Sequence, residues 1–193
     1  MKSLDDYLRD AEQAHGHLCA GQVLGVRMAM LGLQKLGIDD PQGEDRKRLV
    51  TFVEIDRCAT DAVAVVTGCR LGKRALKFRD FGKMAATFVD VNSGRAIRVA
   101  AKESSKDLAR KLHPDLEKNQ QQMLAYREIA DGDLFTAQWV KIELAPEEFP
   151  GYRSERIVCD ECGEGINFRR EVRREGRILC RSCAGERYYE VLE

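Results

Sequence analysis

Net charge is the first thing this 193-residue chain lacks, because 32 lysines and arginines meet 32 aspartates and glutamates. That balance removes any global attraction to nucleic acid or to an anionic membrane and leaves only local basic patches to consider. Long apolar runs are missing too. No stretch approaches the roughly 18 uncharged residues of a membrane span. The opening MKSLDDYLRD carries acids where a secretory signal would carry an apolar core. The expectation is a cytoplasmic protein without membrane association. Aromatic side chains are scarce at 7%, yet 44% of the residues are apolar, enough for an ordinary soluble core with no sign of disorder. Internal repeats are absent. Prolines number four, and two of them fall in APEEFPGYRSER, which reads as a linker.

The length suits one main domain with an appendage, here a core over residues 1–145, a linker over 146–156 and a small module over 157–193. In the core, Ser3 caps a helix from Leu4 to about Ala14, and a buried helix follows from Ala20 to Leu36, stopped by Gly37. LVTFVEI (49–55) reads as a strand and DAVAVVT (61–67) as a short helix. LKFRD and MAATFVDV read as further strands, the latter turning at Asn92-Ser93-Gly94 into RAIRVA to give a hairpin. Two helices around Pro114 and a last strand in LFTAQWVKIEL complete an α+β order, a mostly antiparallel sheet packed with helices.

Seven cysteines are an odd number, and in a reducing compartment CxxC pairs mean metal or catalysis before disulfides. Cys159 and Cys162, then Cys180 and Cys183, give two such pairs at the spacing of a four-cysteine zinc site. Between them INFRREVRREGRIL alternates as a hairpin does, with Glu175 and Gly176 at its tip, and AGERYYEV follows as a helix. A segment this short cannot bury enough surface to fold alone, so zinc supplies the missing stability. Four protein thiolates close the coordination shell, which makes the metal structural. From Gly151 onward nine arginines face nine acids with no lysine, so docking or dimerisation is favoured over nucleic-acid binding. The module resembles a treble-clef finger of the kind found in DksA and TraR.

Of three histidines, two fall in HGHLCAG, His15 to Gly21. If the chain is extended there, His17 and Cys19 point the same way and can share a metal. Otherwise His15 caps the first helix and Cys19 is a small buried residue. Cys58, in DRCATDA, lies where a strand gives way to a helix, a position that favours thiolate, with Asp56 and Asp61 on either side. One imidazole and two thiolates would form an open zinc-type site with room for water or substrate. Cys69 is either a fourth ligand or, the preferred reading, a core cysteine. Lys77 and Arg79 read as solvated surface, while Lys83, after Gly82, can reach an anionic substrate.

Taken in order, HGHLCAGQVLGVRMA, EIDRCATDAVAVVTGCRLGK and LKFRDFGKMAATFVDVNSGRAIRV resemble the family of the E subunit of formylmethanofuran dehydrogenase over about Ala14 to Val99. Ala20 stands where that family often has proline. The resemblance implies an α+β core, a homodimer, and a metal pocket at His17, Cys19 and Cys58. It further implies association with a molybdenum or tungsten enzyme that interconverts carbon dioxide and formylmethanofuran. On this expectation a second metal, zinc by its ligands, sits in the core beside the structural zinc. Asp56 orients a small one-carbon or pterin-like ligand, and His15 or Lys83 contacts it. A regulatory or scaffolding finger protein is the alternative.

Overall fold

Ser3 starts the first helix. Its hydroxyl accepts from the Asp6 amide at 3.2 Å, and the Asp6 carboxylate accepts from the Ser3 amide at 3.3 Å. This reciprocal cap begins α1, Leu4–His15, whose Tyr7, Leu8 and Ala11 are buried. α2, Ala20–Leu36, is buried on nearly every side, as its apolar sequence requires. The computed structural model describes residues 1–192 and divides into two compact units, Met1–Glu143 and Leu144–Glu193, with Glu193 itself outside the described residues.

In the first unit a five-stranded sheet runs in the order β2-β1-β3-β4-β5. Its members are β1 Leu49–Val53, β2 Leu76–Phe78, β3 Ala85–Asp90, β4 Ala96–Ala101 and β5 Phe135–Val140. β1 and β2 are parallel, joined across α3, Cys58–Thr67, and the other pairings are antiparallel. The arrangement is the expected α+β one. α4, Ser105–Leu112, and α5, Lys118–Glu128, follow β4, and a single turn, Asp131–Leu134, leads into β5.

α2 is the centre of the packing, lying on β3 and β4 and against α3 and α5. Gly25 explains how close α3 comes. A Cβ there would lie 2.8 Å from the Ala59 Cα and 2.9 Å from the Ala62 Cβ, and nearer still to the Ala59 carbonyl oxygen. Thr51, Phe88, Ile97 and Trp139 share one sheet face by register, while Phe52, Thr87, Arg98 and Gln138 share the other. On that second face Glu54, 5% exposed, receives Nε and Nη2 of Arg98 at 2.7 and 2.6 Å. A buried carboxylate is tolerable only with such a partner.

Two boundaries differ from the sequence reading. The helix expected from Asp61 begins at Cys58 instead, because Arg57 is already extended as its cap and the Thr60 hydroxyl closes the turn onto the Ile55 carbonyl at 2.5 Å. In the second unit β8, Val172–Arg174, and β9, Arg177–Leu179, form the expected hairpin around Glu175 and Gly176. β6, Ile157–Val158, pairs with β7, Gly165–Ile166. The helix expected through AGERYYEV is only the turn Ser182–Glu186, since Gly185 at φ 107° leaves helical space.

Candidate functional site

Cys159, Cys162, Cys180 and Cys183 place their four sulfurs within 4.8 Å of one another. A tetrahedral zinc with sulfurs at about 2.3 Å separates them by about 3.8 Å, and Cys162 and Cys180 stand 3.9 Å apart. Amides of Cys162 and Cys180 donate to the Cys159 sulfur and lower its pKa to about 6. The neighbouring Cys180 sulfur, followed by burial, pushes Cys183 up to about 12. A ready thiolate beside crowded thiols is a set that a cation relieves by displacing protons. The donors fit structural zinc. Around them lies a core of only Cys159, Ile166, Leu179 and Ala184, too small to fold a module unaided.

In the first unit, Cys19 and Cys58 come together although 38 residues separate them in sequence. Cys19 caps α2 and Cys58 opens α3. A Cβ on Gly21 would sit 3.5 Å from the Cys58 Cβ and 3.7 Å from the Cys19 Sγ. Burial, and next the adjacent Cys19 sulfur, raise the Cys58 thiol above its ordinary pKa. The loop carrying Cys19 is clamped by Gln22, wholly buried, whose Oε1 accepts from the Cys19 amide at 3.2 Å while Nε2 donates to the Ala11 carbonyl at 3.0 Å. Both cysteines line a cleft of about 400 Å³ together with Arg57, Met84, Lys106, Asn119, Gln122 and Tyr126.

His15 does not spend its ring on the end of α1. Its Nδ1 lies 2.9 Å from the Asp61 carboxylate on α3, and its ring centroid lies 4.9 Å from that of the exposed His17. A carboxylate on Nδ1 fixes the tautomer and leaves Nε2 as an acceptor. Asp56 and Lys83 are exposed and outside the cleft lining, with the Lys83 amide bound to the Glu54 carbonyl at 3.1 Å. Cys69 is a core residue, 2% exposed, receiving the Thr51 hydroxyl at 3.5 Å, and burial raises its thiol. Among the described residues, the finger cysteines are the one group of three or more His, Cys, Asp or Glu side chains gathered within 4.8 Å. His17, Cys19 and Cys58 are not drawn that tightly together.

Sequence reasoning missed Gln22, the Asp61 partner of His15, and the wall that α4 and α5 give the cleft. For that wall the one available signal was Asn119 and Gln122 at i, i+3 on a helix.

Comparison with known proteins bears on both units. Residues 14–139 match the family described as FmdE, Molybdenum formylmethanofuran dehydrogenase operon, which is more than half of the chain. The chain belongs to the FmdE family. Residues 151–189 of this FmdE-family chain match the prokaryotic dksA/traR C4-type zinc finger, in agreement with its four sulfurs. A crystal structure of an FmdE-like protein of the tungsten formylmethanofuran dehydrogenase, from Syntrophus aciditrophicus, shares the fold. Its TM-score is 0.65 at 23% identity, covering 98% of this chain and 96% of that one. A relative from Archaeoglobus fulgidus, named a probable S-adenosyl-L-methionine-binding protein, is 31% identical over 219 residues. The alignment takes in 100% of the chain and 56% of the relative, so this FmdE-family chain spans little more than half its length.

Proposed function

We propose that this FmdE-family protein carries a second metal in its core cleft, on Cys19 and Cys58 with His17 as third ligand, and binds a small one-carbon or pterin-like molecule there. The juxtaposition of two part-exposed thiols from distant sequence at the edge of a cleft carries this reading. Imidazole and thiolate suit zinc. Such an ion would supply a Lewis acid. His15, oriented by Asp61, is the side chain placed to hold a proton beside it. Asp56 and Lys83, outside the lining, take no part.

The family's description supports service to a molybdenum or tungsten one-carbon oxidoreductase, with the chain acting as a homodimer in the cytoplasm. All seven cysteines are free, as a reducing compartment requires, and no helix among the described residues is long and apolar enough to cross a membrane. Elemental analysis should find two metal equivalents per chain, falling to one in Cys58→Ser while the finger keeps its zinc. Unchanged stoichiometry rejects the core site. Sedimentation should give twice the 21.8 kDa chain mass.

A scaffolding role through the finger is the second reading, favoured by its exposed Val158, Tyr188, Val191 and Leu192. Its neutral charge directs that surface to protein, so a gel shift with nucleic acid at moderate salt should show no retardation.

A further inference from the structure

We propose that the core cleft selects an anionic ligand and holds its oxyanion, a carboxylate or a phosphate, through Arg57 and Lys106. The proposal rests on reading the cleft as a ligand site but not on the metal at Cys19 and Cys58. At about 400 Å³ the cleft has the size of a small-metabolite site. Its lining includes two cations and neither aspartate nor glutamate. In a chain with 32 acids against 32 bases, composition alone does not produce such a surface.

The polar groups arrive from different elements. Arg57 caps α3, is exposed, and has no ion-pair partner among the described residues. Lys106 comes from α4, and its ammonium shares the highly exposed Glu103 at 2.5 Å. A solvated carboxylate of that kind is readily exchanged for a ligand's. Asn119 and Gln122 stand one turn apart on α5, so both carboxamides face the cleft, and neither has another hydrogen bond among the described residues. The first turns of α2 and α3 open onto the same space and add the positive ends of two helix dipoles. Guanidinium and ammonium supply the charge, and the amides supply orientation. Lys83, expected from sequence to meet an anionic substrate, lies outside this lining, and Arg57 and Lys106 replace it in that role.

The test uses the full zinc-loaded chain, titrated separately with inorganic phosphate, acetate and uncharged acetamide, and followed by amide NMR. Saturable shifts at Gly21 and Ala59 with phosphate or acetate, and none with acetamide, are expected. The tighter anion identifies the ligand as a phosphate ester or a carboxylic acid. Arg57→Gln and Lys106→Gln, both at surface positions, should each weaken binding about tenfold (about 1.4 kcal/mol) with the rest of the spectrum unchanged. No saturable shift with either anion, equal shifts with acetamide, or full affinity in both variants overturns the proposal. Shifts lost in Cys58→Ser but kept in Arg57→Gln and Lys106→Gln assign the anion to the metal, overturning this proposal while sparing the metal reading. Shifts kept in Cys58→Ser, with unchanged metal content, reject the metal and sustain the oxyanion site.

Discussion

Small side chains set the geometry that matters most. Gly25 lets the backbone of α3 reach α2, and that contact brings Cys58 beside Cys19. Gly25→Ala would force the two helices apart against the Ala59 backbone, which cannot swing aside as a flexible side chain does. Thermal melts should show a loss of about 2 kcal/mol, typical of overpacking. Sequence made the glycines in the second helix conspicuous, because each costs helix stability and so needs a packing reason. It could not name their partners. The same limit explains the site. His15, His17, Cys19 and Cys58 stand out by residue type, whereas Gln22, Lys106, Asn119 and Gln122 are ordinary polar residues until folding turns them toward one space.

Elements were legible where the pattern was local. The span of α2, the hairpin at Asn92-Ser93-Gly94 and the turn at Glu175-Gly176 follow from periodicity and turn chemistry. The start of α3 was not, because it depends on the Thr60 hydroxyl finding a carbonyl five residues back. Nor was the tether at the end of β3 visible. Arg48, just before β1, donates Nη2 to Asp90 at 2.9 Å and Nη1 to Asp45 at 2.7 Å. Burial alone would raise the Asp90 carboxyl, but bonds from Arg48, the Ser93 hydroxyl and the Asn92 amide hold it below its ordinary value. The Asp40 amide and then Arg48 depress Asp45 in the same way. Depressed folded-state carboxyls stabilise the fold above their unfolded pKa of about 3.9, and this contribution is lost as pH falls through the folded value. Asp90→Asn should therefore cost about 2 kcal/mol at pH 7. In urea melts followed by circular dichroism, its deficit should shrink steadily below about pH 4. A deficit constant down to pH 2 would refute this tether.

At the scale of the molecule, the two units rest on different foundations. Met1–Glu143 has a continuous apolar core drawn from helices and sheet, while Leu144–Glu193 has four buried residues and four sulfurs. A chelator at neutral pH should accordingly abolish hydrogen-exchange protection across Ile157–Leu179 while leaving β1, β3 and α2 protected. Joint loss would mean that the core also depends on the finger's zinc. Sequence announced this difference through the CxxC spacing, one of the few long-range contacts that composition alone betrays.

The chain has one tryptophan, Trp139, on the outer strand of the sheet, half exposed and with the Arg95 guanidinium 4.5 Å from its ring centroid. Its fluorescence is thus a built-in reporter of the β4–β5 edge. Unfolding there would bare the indole to water and shift its emission to the red, giving the large unit an optical signal that needs no added dye.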